Sequence, residues 1–186
     1  MKTRQCRLVI VLFVLLSAPL VGADDQAASV ESLQQRAAQG EAEAQLSLGL
    51  LYATGKSLPQ DYAEALKWYR LAAAQGNAEA QFSLGVLYAK GEGVPQEDAE
   101  ALKWYRLAAA QGNAGAQFNL GILYYEGQGV PQENVQAYKW LTLAVGAFTG
   151  KSDHDNALKV RDLVAARMTP AQIAEAQKLA RDWKKQ

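Results

Sequence analysis

The sequence predicts an all-α solenoid, in which helix–loop–helix repeats stack on one another. Residues 40–75 and 76–111 are identical at 27 of their 36 aligned positions, and residues 112–147 repeat the same block with more drift. Self-similarity at such a period is typical of solenoids, whose two-helix units bury their apolar faces only against neighbouring units. The hydrophobic fraction of 49% and the charged fraction of 20% are those of an ordered protein.

The first 23 residues have the pattern of a secretory signal peptide. Three basic residues precede an unbroken apolar run at 8–16, and small residues follow at 21–23. The run is shorter than the roughly 20 residues that a membrane-spanning helix needs, although a signal anchor is the alternative interpretation. We therefore predict cleavage after Ala23, a periplasmic or secreted protein, and no stable membrane span after cleavage.

The expected mature chain, residues 24–186, carries 16 basic and 19 acidic residues. This balance leaves no basic field to hold nucleic acid phosphates or anionic lipid, so we expect neither as a partner. Cys6 is the single cysteine of the sequence and lies before the predicted cleavage site. Cleavage would leave a chain without disulfide or thiolate chemistry.

The segment before the repeats is predicted to cap the stack. Residues 24–29 are short and polar and are expected to be loose, whereas residues 30–39 have apolar side chains at helical spacing. The end of this helix, Ala-Ala-Gln-Gly, matches the ends of the second helices in the first two full repeats. We interpret residues 24–39 as a leader followed by an N-terminal half-repeat.

Each full repeat is predicted to contain two helices joined by a glycine-containing loop. In the central copy, Asn77 is a favourable N-cap for a first helix that ends near Lys90. Gly91 is suited to a left-handed helix end, and Pro95 prevents the helix from continuing. Gly85 interrupts the middle of the first helix, where glycine costs about 1 kcal/mol relative to alanine. Its recurrence in every copy predicts two helix backbones too close together for a β-carbon.

The region after the repeats, residues 148–186, is predicted to cap the other end of the stack. Residues 151–156 are expected to form a charged loop, followed by a helix at about 155–167. Thr169 and Pro170 are a strong helix start, a capping residue followed by a first-turn proline. The two terminal helices would cover the apolar end of the stack, which solenoids need for solubility.

The repeated string resembles the Sel1-like repeat, a relative of the tetratricopeptide repeat. The motif Leu-Gly-x-x-Tyr recurs in all three copies, and the central copy also carries Gly-Glu-Gly-Val-Pro-Gln at 91–96 and Ala-Leu-Lys-Trp-Tyr at 101–105. The resemblance implies a right-handed α-α superhelix of three repeats, 40–75, 76–111 and 112–147. It also implies a scaffold or adaptor role in protein–protein interaction, and it does not imply catalysis.

The resemblance further implies that the first helix of each repeat lines a concave binding face. Positions that vary between copies while their neighbours stay the same are free to specify a partner. On these grounds we predict the following partner contacts: Phe82, Lys90, Phe118, Asn119, Tyr125 and Glu126. The alternative for Phe82 and Phe118 is that they only fill the space between successive first helices.

Two other features are considered as candidate sites. Trp68, Trp104 and Trp140 share one place in the second helix, where they would either form a stacking platform for sugars or, as we favour, pack between repeats with each indole N–H bonded locally. His154 lies between two aspartates, and without a second cluster we expect a solvated turn or a helix start there and not a metal site.

The function predicted from these features is a non-enzymatic scaffold of the bacterial cell envelope. It would bind another protein or a peptide segment on the concave face and would need no cofactor or metal. Two alternatives stay open, a glycan-binding module and an enzyme. Some exported proteins with this repeat resemble penicillin-binding or β-lactam-hydrolysing proteins, but those have a disulfide in each repeat, and the expected mature chain has no cysteine.

Overall fold

The structure of the protein, a computed structural model, describes residues 21–183, with side chains from residue 29 onward. The predicted signal peptide lies outside the described residues except for its last three. The described chain forms the following helices: α1 (Val21–Ala38), α2 (Ala42–Thr54), α3 (Tyr62–Ala74), α4 (Ala78–Lys90), α5 (Asp98–Ala110), α6 (Ala114–Glu126), α7 (Asn134–Ala147), α8 (Lys151–Ala165) and α9 (Pro170–Trp183). Within that part of the chain, no helix combines the length and the hydrophobicity needed to cross a membrane.

The helices stack in chain order as a superhelix of repeats, and the predicted all-α solenoid is confirmed. The pairs α2–α3, α4–α5 and α6–α7 are the three repeats, and the second helix of each pair also packs against the first helix of the next. The N-terminal helix α1 packs on α2 through Ala37, Ala44 and Leu48, which are all almost fully buried. At the other end, α8 and α9 both pack against α7.

Local signals in the sequence account for the helix ends of each repeat. The side chain of Asn77 accepts a hydrogen bond from the backbone N–H of Ala80 at 2.9 Å, which caps α4 as predicted. Gly91 ends α4 in the left-handed conformation, with φ of 71°. A second left-handed position follows in each loop, and there the first repeat has Ser57, at φ 67°, where the second has Gly93, at φ 75°.

The glycine in the middle of each first helix lies closest to a side chain of the second helix, although at Gly121 the backbone carbonyl of Ala137 would also lie 3.3 Å from a β-carbon. A β-carbon on Gly85 would lie 2.5 Å from ring atoms of Tyr105, and one on Gly121 would lie 2.5 Å from Leu141 Cγ. The prediction that a β-carbon does not fit here is confirmed, but its stated cause is wrong. The second helix of the same repeat inserts a large side chain against the glycine, which brings α4 and α5 close together.

The N-terminal helix is longer than the sequence analysis predicts. Helix α1 includes residues 24–29, which were expected to be loose. Alanine is the strongest helix former. Ala23, Ala27 and Ala28 therefore favour a helix in a segment that the apolar periodicity does not mark.

The first C-terminal helix also begins earlier than predicted. Helix α8 starts at Lys151, so the expected charged loop at 151–156 is its first turns, and it ends at Ala165. The backbone N–H of His154 donates to the carbonyl of Gly150 at 3.0 Å, and Lys151 pairs with Asp155 at 2.6 Å across one turn. Charges at i and i+4 support a helix, which is why a polar segment is helical here.

The start of the last helix agrees with the prediction. Thr169 Oγ1 accepts from the backbone N–H of Gln172 at 3.3 Å, and Gln172 Oε1 accepts from the backbone N–H of Thr169 at 2.9 Å. This reciprocal pair is a capping box, and Pro170 occupies the first helical position.

Candidate functional site

The strongest candidate site is an open groove on the surface formed by the first helices. We define the first-helix face as the outward side chains of α2, α4 and α6, represented by Leu50, Val86 and Ile122. A groove of about 350 Å³ lies on this face between α2 and α4. Its walls include Leu50, Ala53, Phe82, Val86, Lys90 and Glu92. Glu79, in the first turn of α4, lines it as well, so the walls are apolar in the middle and carry charged side chains near both ends.

Leu50 is the most exposed of the apolar groups in the groove. It leaves 53% of its surface open to solvent, beside Phe82 and Val86, which are half-buried. Exposing apolar surface costs about 25 cal/mol per Å², so a partner that covers this surface gains that free energy. Leu50 is not among the contacts predicted from the sequence, because the equivalent positions 86 and 122 are also apolar and vary only among aliphatic residues.

Phe82 has a structural role as well as a place in the groove. Its ring centroid lies 6.0 Å from that of Tyr105, and a β-carbon on Gly115 would lie 2.9 Å from its Cζ atom. Phe82 therefore packs between α4 and α6, as the alternative interpretation of this residue states. The edge of the ring that lines the groove is the part open to a partner.

Lys90 and Glu126 occupy equivalent positions at the ends of α4 and α6, but only Lys90 borders the groove. Lys90 is exposed, and its Nζ lies 3.8 Å from a carboxylate oxygen of Glu92. An exposed pair at this distance contributes little to stability, so the lysine is available to a partner at small cost. Glu126 is exposed at the last position of α6, one repeat away from the groove.

Asn119 is half-buried and lies beside a buried tyrosine. Burial raises the pKa of Tyr105 to about 12, and a hydrogen bond with Asn119 opposes that rise. In the preceding repeat, burial likewise raises the pKa of Tyr69, and a hydrogen bond with Ser83 opposes it. Ser83 and Asn119, at equivalent positions of α4 and α6, thus each hydrogen-bond to the tyrosine hydroxyl of the preceding second helix.

The other two predicted contacts, Phe118 and Tyr125, are covered by the C-terminal region. Phe118 packs edge-on against Phe148, with 6.3 Å between ring centroids. The guanidinium carbon of Arg167 lies 4.7 Å from the centroid of the Tyr125 ring. The structure brings Phe82 and Lys90 to one groove, and it places Phe118 and Tyr125 under the segments that flank α8.

The tryptophans are packing groups. Trp68 packs against the cluster of Ala37, Ala44 and Leu48, and Trp104 packs against the core of the preceding repeat. The predicted packing between repeats is confirmed. The predicted local hydrogen bond is wrong for these two, because each indole Nε1 is buried and has no partner among the described residues. Both rings are half-buried, and a lysine lies over each, with Lys67 Nζ 5.4 Å from the centroid of Trp68 and Lys103 Nζ 5.6 Å from that of Trp104.

His154 lies in the first turns of α8 and not in a loop. Its Nδ1 is 3.5 Å from a carboxylate oxygen of Asp155. Hydrogen bonds from Lys151 first, and then from His154, lower the pKa of Asp155. Among residues 29–183, no group of three or more acidic, histidine or cysteine side chains is arranged to hold a metal ion. The carboxylate is held by two neighbours on its own helix.

Comparison with known proteins agrees with the geometry of the repeats. The family model for the Sel1 repeat matches residues 42–77, 78–113 and 114–145, each starting two residues after the corresponding sequence block. The secretory immunoglobulin A-binding protein EsiB of Escherichia coli O6:H1 is 41% identical over 59 residues. That match covers 32% of this chain and 11% of EsiB, so the chain spans only a small part of this curated relative.

Two crystal structures share the fold. A Sel1 repeat protein from Oxalobacter formigenes is 33% identical with a TM-score of 0.61, and the match covers 70% of this chain and 98% of that one. A protective antigen of uropathogenic Escherichia coli strains, which displays an SLR fold, is 26% identical with a TM-score of 0.61. The second match covers 88% of this chain and 42% of the antigen.

Proposed function

Because this chain belongs to the Sel1 repeat family, whose members are typically protein-interaction modules, we propose that it is a non-enzymatic scaffold of the bacterial cell envelope. In this proposal, a short apolar segment of another protein binds in the groove between α2 and α4. The placement in the envelope rests on the signal-peptide pattern of residues 1–23.

The observation that carries the proposal is the exposure of Leu50. It leaves 53% of its surface open to solvent in a groove whose other central walls, Phe82 and Val86, are also apolar. A bound apolar side chain would remove these three groups from water together. The carboxylate of Glu79 at one end of the groove and the charges of Lys90 and Glu92 at the other would give the bound segment a direction.

The groove between α2 and α4 supports the proposal better than the corresponding surface of the third repeat. There, Phe118 and Tyr125 pack against Phe148 and Arg167 of the same chain. A partner at that place would have to displace these contacts before it could bind. The groove beside Leu50 requires no such displacement, so its surface is already shaped for binding.

The proposal is tested by replacing one exposed leucine on each side of the stack. Leu50→Glu places a charge in the groove, and Leu107→Glu places the same charge on the second helix α5, where Leu107 is 45% exposed. Both side chains are exposed, so we expect melting temperatures close to that of the unaltered protein. The measurement is the amount of each envelope protein crosslinked to the purified mature protein and its two variants.

We expect Leu50→Glu to remove the crosslinked partner and Leu107→Glu to leave its amount unchanged. Equal capture by Leu50→Glu and the unaltered protein would show that the groove does not bind the partner. Loss of capture only in Leu107→Glu would indicate that the partner binds to the second helices.

A further inference from the structure

Buried glutamines on the first helices join each repeat to the helix that precedes it. The side-chain Nε2 of Gln45, Gln81 and Gln117 donates to the backbone carbonyl 8 residues earlier, at 3.1, 3.3 and 3.3 Å. In the first two repeats, the Oε1 of this glutamine accepts from the Nε2 of a second glutamine, at 2.8 Å in both cases. The donors are Gln75 and Gln111, which end the second helices. Each of the first two repeats thus has one place where a primary amide satisfies a buried oxygen.

The third repeat lacks the amide that this arrangement requires. The position equivalent to Gln75 and Gln111 is occupied by Ala147. The Oε1 of Gln117 is buried and has no hydrogen-bond partner among the described residues, and the whole residue is only 4% exposed. A buried acceptor without a donor is unfavourable, so a group that supplies an N–H here binds with a gain in free energy.

An open pocket of about 330 Å³ lies where the missing side chain would be. Gln117 and Ala147 both line it, and Leu143 and Trp183 contribute apolar walls. The lining also includes Gly112, the counterpart of Gly40, whose carbonyl accepts from Gln75 Nε2 at 3.0 Å in the first repeat. By the same register, this pocket offers two acceptors, Gln117 Oε1 and the carbonyl of Gly112, to one donor group.

We propose that this pocket is a binding site for a primary amide, such as the side chain of a glutamine in a partner peptide. A primary amide carries two N–H donors on one nitrogen, which matches two acceptors. No lining residue is charged. A carboxylate would bring acceptors to acceptors, and an ammonium group would lose its hydration without gaining a counter-ion. The site is separate from the groove beside Leu50 and does not depend on it.

The binding experiment uses N-acetyl-L-glutamine N-methylamide as the probe and the glutamate analogue as its matched control. Nuclear magnetic resonance follows the indole N–H of Trp183 and the side-chain amide of Gln117 in the purified protein. We expect saturable shifts with the glutamine probe and at least about tenfold weaker binding of the glutamate analogue, since a lost hydrogen bond changes affinity by about that factor.

Two substitutions of similar size provide the control within the chain. Ala147→Gln restores the residue that the first two repeats have, and Ala147→Met fills the same space without an N–H. We expect Ala147→Gln to abolish the probe-induced shifts and to melt at a higher temperature than Ala147→Met. Both variants should fold, because glutamine is accommodated at this position twice in the same chain.

Three outcomes would overturn the proposal. The first is an absence of saturable shifts in the unaltered protein, which would mean that solvent alone occupies the pocket. The second is equal binding of the glutamate analogue. The third is an identical melting temperature for the two variants at position 147, which would show that a hydrogen-bond donor to Gln117 Oε1 does not stabilise the protein.

Discussion

The ring of Tyr105 occupies the space that a β-carbon on Gly85 would need, with two ring atoms 2.5 Å from that position. The tyrosine is 3% exposed and belongs to the same core cluster as Leu102 and Leu120. One glycine on a first helix and one large side chain on a second helix therefore set the distance between the two helices of a repeat.

Substituting this glycine should destabilise the repeat even though alanine is the better helix former. For Gly85→Ala we expect a loss of about 1–2 kcal/mol in the free energy of unfolding, because overpacking costs more than helix propensity returns. Gly115→Ala is the control, since its β-carbon would meet only the half-buried ring of Phe82, which can move. Urea unfolding measures both, and an equal or higher stability of Gly85→Ala would contradict the prediction.

In the loop of the first repeat, Ser57 occupies a backbone conformation that glycine would adopt at lower free energy. Ser57 adopts φ of 67°, a conformation that costs a non-glycine residue roughly 1 kcal/mol. We expect Ser57→Gly to raise the free energy of unfolding by up to about 1 kcal/mol. The reverse change, Gly93→Ser, should be destabilising, because its β-carbon would lie 2.8 Å from the backbone of Tyr62. Thermal unfolding measures the melting temperatures of both variants, and a change in the same direction for both would contradict this prediction.

The buried hydroxyl of Tyr105 should make the protein sensitive to alkali. Its pKa is about 12 in the fold against an ordinary value of 10.0. As pH rises from 10 to 12, the unfolded chain loses this proton and the folded chain keeps it, so stability falls across that interval. We expect Tyr105→Phe to show a shallower decline than the unaltered protein, by no more than roughly 3 kcal/mol at pH 12. Urea midpoints between pH 8 and 12 test this, and parallel declines would contradict it.

The C-terminal helix is held to the stack by a lysine between two tryptophans. Lys67 and Lys103 pair with glutamates three residues earlier, at 3.3 and 3.2 Å, but the third repeat has Gln136 at that place. The Nζ of Lys139 lies instead 4.4 Å from the ring centroids of both Trp140 and Trp183. Burial lowers the pKa of Lys139, while the two ring faces favour its charged form.

Removing one of these rings should loosen the cap. For Trp183→Ala we expect a loss of about 2–3 kcal/mol in the free energy of unfolding, since both apolar burial and the contact with Lys139 are lost. Leu163→Ala is the control, because Leu163 is 60% exposed and should change stability by less than about 0.5 kcal/mol. Chemical denaturation measures both, and similar values for the two variants would argue against a cap anchored at Trp183.

Charge reversal on the first-helix face should separate the roles of two equivalent positions. Lys90 borders the groove and Glu126 does not. We expect Lys90→Glu to reduce partner capture severalfold and Glu126→Lys to change it little, with melting temperatures unaltered because both side chains are exposed. Crosslinked capture is the measurement. A stronger effect of Glu126→Lys would place the partner on the third repeat.

The helix ends and the repeat architecture follow from local signals. Asn77 caps a helix and Gly91 ends one because each needs only its own neighbours in the chain to do so. The helical conformation of residues 24–29 and the start of α8 are missed because apolar periodicity marks the buried face of a helix and not its length. Residues 24–29 and the pair of Lys151 with Asp155 lie outside any apolar stripe.

The candidate sites are predicted less completely, since they depend on which surfaces the stack leaves uncovered. Variation between repeats predicts both Lys90 and Tyr125 as partner contacts. Lys90 lies at an open groove, whereas Tyr125 lies against Arg167. Leu50 is missed because its exposure results from the arrangement of α2 and α4 and not from its residue type. The replacement of glutamine by Ala147 is visible in the sequence, but its consequence needs the hydrogen bonds of the other repeats.

The sequence by itself determined that the protein is an α-helical repeat stack. The 36-residue period identifies the repeats, and the capping residues that end each helix act through neighbours within a single turn or loop. Only the tertiary structure decided that Tyr105 fills the space beside Gly85, that the cap covers Phe118, and that Gln117 has an unused acceptor. These properties arise between helices that are distant along the chain. The packing of the helices determines which side chains come into contact, and the local preferences of the residues do not predict these contacts.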